Sequence, residues 1–445
     1  MADVYVVHCI DTEGPLYETL PETFIRIEKH FGLKLPPRRD ILEKLQQQKL
    51  DLGGMEAKVA RMVDPALLAL NDSWDKLDAM LDDITSPEFR SKFADSQGNG
   101  WIYNWFLVDH VDYDLNPRRR DMGYHNIFDH YRQYLTQADA PCSDGLHFHY
   151  HPAPYSRQAH HSSRHWFAHS DTLFQVLARR IIDRQWFPSV NRPGFNVTRP
   201  DSHWFLEQFI PFDYSNQGYK VDERADETTS INPLWDWGRG PVSWRPYHPS
   251  HDDHQTPGAC RRWILRCLNL GTWHCLLRQS DVDLAFEEAA TGTPVVLAFT
   301  NHDFRDMRPD IAAAHAMLTN AASRFPDVRF IHSEARSAAR QCLGITPSTP
   351  CNLRLEIKGN TLSLCSDQPT FGPQPFLAIR TVNGDYRHDA LDADRPFHQW
   401  TCVLDEYSVP LELVDKVGFA VCNAAGDVTV LVWDRASGKT IVETI

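Results

Sequence analysis

Short apolar segments rich in β-branched and aromatic residues recur before residue 345, and amphipathic stretches with helical spacing separate them. The segments that predict strands are residues 4–9, 101–108, 145–150, 186–190, 211–214, 294–300 and 328–331. The stretches that predict helices are residues 73–84, 123–135, 172–184, 281–290 and 309–324. Strands that alternate with helices form parallel β-α units, in either a closed barrel or an open doubly wound sheet. We favour an α/β fold with an irregular (β/α) barrel over residues 1–345, whose strand-end loops would carry the chemistry.

The pattern changes after this region. Residues 353–357 alternate apolar and charged side chains, a Gly359-Asn360 turn follows, and the alternation then resumes. A period of two is that of a strand with one buried face, and a tight turn between two such runs indicates a hairpin. The pattern therefore predicts that residues 346–445 form a small antiparallel β domain of the sandwich type, and that the proline-containing segment 346–350 links it to the barrel.

The composition excludes several classes of function. Among 445 residues, 59 acidic side chains outnumber 45 basic ones, so the formal net charge is −14 and the surface repels nucleic-acid phosphates. No apolar stretch approaches the ~20 residues that span a bilayer. The first residues do not have the pattern of a secretory signal, and the ten cysteines include no Cys-x-x-Cys pair. We therefore expect a cytoplasmic protein with reduced thiols, no nucleic-acid partner and no membrane span.

Two carboxylates, Asp11 and Glu13, follow directly after the first predicted strand. Side chains two residues apart on a strand point to the same face, so both can enter a common cleft. One carboxylate can hold a metal ion while the other takes a proton from water that the ion has acidified. The same pair also fits a solvated turn, so it indicates a catalytic site only in combination with other residues.

Histidine is unusually frequent: there are 22, and seven fall between residues 147 and 169. His147, His149 and His151 lie at the end of the third predicted strand. Histidines four apart suit a turn and histidines two apart suit one strand face, so both pairings could supply metal ligands. Imidazoles with a carboxylate favour Zn²⁺, and other first-row divalent metals compete. A second series is interpreted as surface or substrate-loop histidines: His161, His165 and His169.

Two further polar groups also follow predicted strands. Arg192 comes after the fourth strand, where an arginine can orient a carboxylate through a bidentate pair. His302 follows the strand at 294–300, and its ordinary pKa suits protonation of a leaving group near neutral pH. Each group alone is weakly specific. Together with the acids and the histidines, however, they all follow strands, which is where a parallel barrel places its active site.

The order of these motifs resembles that of a known family. An acidic pair after the first strand, a His-x-x-x-His segment, an Arg-Pro turn and a late strand-end histidine resemble the polysaccharide deacetylase family, also called NodB-homology or carbohydrate esterase family 4. The resemblance covers residues 1–345 and implies a distorted (β/α) barrel that removes acetyl groups from sugars with a divalent metal, commonly zinc. The roles that it implies are Asp11 as general base, Glu13, His147 and His151 as metal ligands, Arg192 as the residue that positions the base, and His302 as general acid.

Two features of the site motifs depart from the family pattern, and the region 40–135 is also much longer than a compact member needs between motifs. The acids are spaced as Asp-x-Glu rather than adjacent, and Phe148 stands where the family has Ser or Thr. His149 is therefore kept as an alternative to His147 or His151 in the ligand set.

The substrate is expected to contact aromatic residues. Phe195 belongs to the turn after Arg192, and the resemblance places Asp213 and Tyr214 where the family has residues that tune the acid or line the sugar site. The aromatic segment at 223–258 has no clear period and would either stack on a sugar ring or form a structural lid. Its candidate residues are Trp235, Trp237, Trp244 and Tyr247.

The sequence thus predicts a metal-dependent hydrolase that removes an acetyl group from an N-acetylated sugar. A cytoplasmic location favours a nucleotide- or lipid-linked precursor, or a glycan terminus, in the biosynthesis of a cell-surface polysaccharide such as a lipopolysaccharide O-antigen or a capsule. The alternative is an inactive deacetylase-like protein that binds carbohydrate. A third hypothesis, another metal amidohydrolase, is disfavoured because that superfamily places its His-x-His at the first strand.

Overall fold

The computed structural model describes residues 3–137, 143–159, 161, 163, 171–219, 237–272 and 275–445. Within them, seven parallel strands close into a barrel in the order β1 (Asp3–Thr12), β2 (Tyr103–Leu107), β3 (Gly145–Tyr150), β4 (Val190–Pro193), β5 (Phe212–Asn216), β6 (Trp263–Asn269) and β7 (Val295–His302). β1 pairs with both β2 and β7, and this double pairing closes the barrel. A further strand, β8 (Arg329–His332), pairs with the amino-terminal half of β1. The predicted α/β barrel is therefore confirmed.

Helices connect the strands along the chain. They are α1 (Leu20–Phe31), α2 (Arg39–Gln46), α3 (Glu56–Met62), α4 (Pro65–Leu68), α5 (Trp74–Ile84), α6 (Pro87–Lys92), α7 (Asn126–Gln137), α8 (Thr172–Arg184), α9 (Pro200–Phe209), α10 (Gln279–Ala290), α11 (Arg308–Arg324) and α12 (Ala335–Leu343). Side chains alternate along β1: Val4 and Val6 pack outward in the large core that the helices share, whereas Val7 and Cys9 fill the barrel interior. All five helices predicted from the sequence are present, because their apolar residues recur with helical spacing.

α12 closes the amino-terminal end of the barrel. Its residues Ala335, Ala338 and Ala339 are fully buried and belong to the interior core. Near the end of the helix, the Cys342 thiol donates to the carbonyl of Pro294, the residue before β7, which places the helix at the amino ends of the strands. Small alanine side chains allow the helix to approach the strands closely. The accessible end of the barrel is therefore the carboxyl-terminal end.

The connection between β1 and β2 contains a small helical unit with its own core. Helices α1 to α4 pack around residues such as Phe24, Ile27 and Val59, which form a cluster separate from the barrel core. α1 begins at a capping box, in which Thr19 and Glu22 each bond to the other's backbone N–H group. We call this unit, residues 20–68, the helical cap.

Two antiparallel sheets follow α12. Their strands are β9 (Leu353–Lys358), β10 (Thr361–Ser366), β11 (Phe376–Thr381), β12 (Tyr386–Asp389), β13 (Asp392–Arg395), β14 (Gln399–Val403), β15 (Val414–Cys422), β16 (Val428–Asp434) and β17 (Thr440–Thr444). One sheet has the order β13-β14-β10-β9 and the other β12-β11-β15-β16-β17. They share a core that includes Leu364, Trp400 and Phe419, which confirms the predicted antiparallel β structure. The division into domains at residue 345 stays a prediction, since Phe376 and its neighbours on the five-stranded sheet join the barrel core.

Parts of the fold differ from the sequence-based expectation. The sequence predicts no strand at β6, because Arg266 interrupts its apolar run and the preceding segment has no period. The fourth strand begins at Val190 instead of ending there, because Trp186 and Phe187 pack in the outer core before the chain enters the barrel. Among the described residues, none of the helices has the length and apolar character needed to span a bilayer.

The closure by α12 is tested by Ala338→Leu. The larger side chain must enter a fully buried site, so we expect the free energy of unfolding to fall by about 1–3 kcal/mol, measured by urea denaturation. Gln341→Leu, on an exposed position of the same helix, is the control and should change it by less than about 0.5 kcal/mol. Equal stability of the two variants would contradict the closure.

Candidate metal centre

Asp11 and Glu13 lie at the carboxyl-terminal end of β1, and both side chains are buried. β1 and β7 are neighbouring parallel strands, and Asp11 of β1 is paired with His302 of β7. After the strand, Gly14 turns the chain with a φ of 71°. The backbone N–H groups of Glu13 and Gly14 donate to the two carboxylate oxygens of Asp303 at 2.9 and 2.8 Å. Asp303 therefore fixes the backbone that presents Glu13.

Arg192 holds Asp11 from the neighbouring part of the barrel. Its side chain is fully buried, and its Nε donates to Asp11 Oδ1 at 2.7 Å. Burial alone would raise the pKa of Asp11, but the charge and hydrogen bond of Arg192, together with the neighbouring His149 and His302, outweigh burial and lower the pKa to about 2. Asp11 is therefore ionised at neutral pH. Arg192 thus contacts Asp11 through one N–H group, whereas the sequence analysis considers a bidentate pair.

Three further side chains converge beside this pair. Glu13, His149 and His151 bring their ligand atoms within 4.8 Å of one another. His151 Nε2 lies 3.6 Å from Glu13 Oε1 and 2.9 Å from His149 Nε2. The other ring nitrogen of His149, Nδ1, lies 2.9 Å from the Arg192 carbonyl, so Nδ1 carries the proton and Nε2 keeps its lone pair. Burial lowers the pKa of both histidines, which keeps both rings neutral.

This group of three fits a divalent metal ion. Neutral imidazole nitrogens and a carboxylate oxygen are a donor set that Zn²⁺ prefers, and three protein ligands leave a position for water or substrate. The buried Nδ1 of His151 has no hydrogen-bond partner among the described residues. The His149 ring, in contrast, is held by the Arg192 carbonyl. A buried Glu/His/His group of this kind can bind a metal ion, and its chemistry is compatible with zinc and with other first-row metals.

The turn after β4 leaves room for the His151 ring. A Cβ at Gly194 would collide with that ring and with the Tyr150 carbonyl, so only glycine fits here. The next residue, Phe195, has a positive φ of 52°, and its ring centre lies 4.9 Å from that of His151. The Arg-Pro-Gly-Phe turn therefore packs directly against a candidate ligand.

His147 does not belong to this group. Its Nε2 lies 3.2 Å from Asn104 Oδ1 and 3.3 Å from Glu334 Oε1, beside the start of α12. A Cβ at Gly145 would collide with the His147 ring, which shows that the ring turns back toward the start of β3. Residues two apart share a strand face but are displaced by about 6.6 Å along it. The assignment of His147 as a metal ligand is corrected, and the alternative, His149, takes its place.

Glu13 has two partners that the sequence does not reveal. Arg120 Nη1 donates to Glu13 Oε2 in a buried ion pair, and His110 Nε2 lies 3.1 Å from the Glu13 carbonyl. Oε2 is thus occupied by Arg120, whereas Oε1 faces the His151 and His302 rings. The only signal in the sequence is a run of three arginines, 118–120, after β2. Such a run is usually a solvated face, so nothing marks Arg120 as buried.

His302 lies between the acidic pair and an open cavity. Its Nε2 is 3.8 Å from Asp11 Oδ2 and 3.7 Å from Glu13 Oε1. Together with Phe195 and His161, these residues line a cavity of about 710 Å³ between the barrel and the helical cap. The side chain of His302 is 24% exposed, so it can reach a molecule in this cavity.

Two residues predicted to contact substrate lie elsewhere. Asp213 points outward from β5, where it accepts hydrogen bonds from Asn191 at 3.0 Å and from Arg262 at 3.4 Å. Tyr214 points into the barrel, but its hydroxyl donates to the Ala335 carbonyl of α12 at 2.6 Å. The alternation of side chains along β5 therefore directs Asp213 away from the cavity, and Tyr214 reaches the amino-terminal end of the barrel, which α12 closes. Their assignment to substrate binding is corrected.

The aromatic segment is structural wherever it is described. Trp237 is buried with its ring edge-on to His254 at 5.0 Å, and Tyr247 donates to the His254 carbonyl at 2.8 Å. Trp244 is also buried, and its indole N–H donates to the Asp281 carbonyl at 2.7 Å. None of these three lines the cavity, so their assignment to substrate binding is corrected. Outside the described residues lie Trp235, His165 and His169.

Comparisons with protein-family models, with curated proteins and with solved structures find no match for this chain. The resemblance to polysaccharide deacetylases therefore rests on the chain's own residues. Of the positions that carry it, the structure brings Asp11, Glu13, His151, Arg192 and His302 together and leaves His147 apart.

The ligand set is tested by metal analysis of purified variants after zinc loading. His149→Ala and His151→Ala each remove a donor from the group, so we expect both to lose most of the metal that the wild type retains. His147→Ala is the matched control and should retain wild-type metal, because its ring faces Asn104 and Glu334. Circular dichroism would establish that all three variants are folded. Loss of metal from His147→Ala, with retention by His149→Ala, would contradict the corrected set.

Proposed function

We propose that this chain is a metal-dependent hydrolase that removes the acetyl group from an N-acetylated sugar. The observation that carries the proposal is that the ionised Asp11, the partly exposed His302 and Glu13, the carboxylate of the Glu/His/His group, line one cavity. Metal-dependent hydrolysis of an amide uses a base for water, a Lewis acid for the carbonyl and a proton for the departing amine. The arrangement offers a candidate for each need.

Asp11 is the proposed general base. Its contact with Arg192 keeps it ionised and ready to accept a proton at neutral pH, but a carboxylate with a pKa of about 2 is a weak base. Such a base can act only on water that is already acidified. A divalent ion held by Glu13, His149 and His151 would supply that acidity and would polarise the acetyl carbonyl.

Arg120 and Asp303 act on Glu13 rather than on the substrate. Arg120 occupies Glu13 Oε2, which leaves Oε1 to face His151. Asp303 holds the backbone of Glu13, and the hydroxyl of Tyr131 donates to Asp303 at 2.9 Å. The carboxylate is therefore held in place before any ligand binds, which lowers the cost of reorganisation during the reaction.

His302 is the proposed general acid. Its Nε2 lies 3.8 Å from Asp11 Oδ2, which is longer than a hydrogen bond, so in the proposed step a proton accepted by Asp11 passes across one water molecule to His302 and then to the departing amine. Burial lowers the pKa of His302, so its protonated form gives up the proton readily. Its exposure to the cavity places this step where a sugar can bind.

The alternative of an inactive carbohydrate-binding protein has less support. It relies on tryptophans that stack on a sugar ring, whereas Trp237 and Trp244 are buried away from the cavity. Of the two departures from the family pattern, Phe148 points outward into the core under the helices. The Asp-x-Glu spacing leaves both acids lining the cavity. Neither departure removes a group from the site.

As substrate we propose a nucleotide- or lipid-linked precursor of a cell-surface polysaccharide.

The role of Asp11 is tested by Asp11→Asn. The variant keeps the shape of the side chain but cannot accept a proton, so we expect kcat/KM for acetate release to fall by about 10²–10⁴-fold while bound zinc is retained. The measurement is acetate release by the zinc-loaded protein from a panel of N-acetylated hexosamines, presented as free sugars, as nucleotide-linked sugars and as oligosaccharides.

The matched control is Asp40→Asn, an acid-to-amide change on the exposed surface of the helical cap, which should leave the rate unchanged. Near-wild-type acetate release by Asp11→Asn would contradict its role as base. Absence of acetate release from every member of the panel, by wild type with stoichiometric zinc, would overturn the proposed function.

A further inference from the structure

The outer part of the cavity carries an excess of positive charge, although the protein as a whole has a net charge of −14. Apart from the groups of the metal centre, the charged side chains that line it are Arg26, Lys29, Arg118, Arg305, Glu18 and Glu22. Arg26 and Arg118 share one carboxylate, since both pair with Glu18 at 3.0 Å. A basic cavity in an acidic protein attracts anionic molecules to that place in particular.

Arg305 differs from the other arginines of the cavity. Its Nη2 lies 3.4 Å from His302 Nδ1, and its guanidinium lies 5.0 Å from the centre of the Phe304 ring. No carboxylate of the described residues forms an ion pair with it. The acid whose charge acts most on it is Asp310, but Asp310 Oδ2 accepts a hydrogen bond from Asn301 at 3.0 Å. Arg305 therefore lines the cavity without a counter-ion among the described residues.

The chemistry of this arginine selects its ligand. Burial lowers the pKa of Arg305 to about 10, since the protein around it does not compensate for the loss of water. A bound anion would supply that compensation. The guanidinium group is planar and offers two parallel N–H donors, which match the oxygens of a phosphate or a carboxylate.

We propose that Arg305 binds an anionic group, a phosphate or a carboxylate, of the same substrate whose acetyl group reacts at the metal centre. The contact between Arg305 and His302 places this anion next to the proposed general acid. The inference rests on the proposed function, because it names the substrate class of that site. A neutral N-acetylated sugar would leave Arg305 without a counter-ion, so the cavity favours a charged one.

The test is calorimetric titration of the full-length protein, without added metal, with inorganic phosphate and separately with glucuronate. Wild type should bind one of the two anions saturably. Arg305→Met keeps an unbranched stem similar to that of arginine but removes the charge and the N–H donors, and it should weaken binding by about tenfold or more. Arg305→Lys keeps the charge without the paired donors and should weaken binding less. Binding of phosphate alone would indicate a phosphate-linked sugar, and binding of glucuronate alone would indicate an acidic sugar.

Arg308→Met is the matched control. Arg308 lies three residues away on the surface, where it pairs with Asp306 and Asp83, so its loss should leave the affinity unchanged. Equal affinity of wild type and Arg305→Met, or no saturable binding of either anion to wild type, would overturn the inference. Neither measurement depends on catalysis. Anion binding that requires Arg305, without acetate release from any sugar, would overturn the proposed function and leave the anion site standing.

Discussion

The buried ion pair between Asp11 and Arg192 is the interaction on which the site depends. A lone carboxylate in the interior of a barrel would take up a proton, because low polarity disfavours its charge. The fully buried guanidinium keeps Asp11 ionised at 2.7 Å. The carbonyl of the same arginine accepts the Nδ1 proton of His149, so Arg192 also determines which nitrogen of that ring is free. Replacement of Arg192 would therefore disturb the proposed base and a candidate metal ligand together.

The barrel and the strand-end position of most site residues could be predicted from the sequence, because both follow from periodicity. Parallel strands that are buried on both faces appear in a sequence as short apolar runs, and their carboxyl ends lie together at one end of the barrel. This placed Asp11, Glu13, Arg192 and His302 together. The choice between His147 and His149 could not be predicted, because both share a strand face and the sequence does not show which of the two lies level with Glu13 or where each ring turns.

The remaining errors have a common physical cause: a side chain's partner lies far away in sequence. Arg120 looks like one arginine in a solvated run, yet it neutralises Glu13, and no local pattern records a contact across that distance. The tryptophans mislead in the opposite direction. A tryptophan in such a segment can pack in a protein core or stack on a sugar, and the sequence does not distinguish the two. Trp244 is buried, and its indole N–H donates to the Asp281 carbonyl.

The separate core of the helical cap has a consequence for how such a protein can diversify. The cap supplies Arg26 and Lys29 to the cavity, yet its interior packs around Phe24, Ile27 and Val59 without joining the barrel core. Mutations inside the cap can therefore reshape the entrance without moving the residues of the candidate metal centre. Selection for a new ligand could act on this segment alone, and an exchange of caps between barrels of this kind would carry ligand preference from one to the other while the candidate metal centre stayed the same.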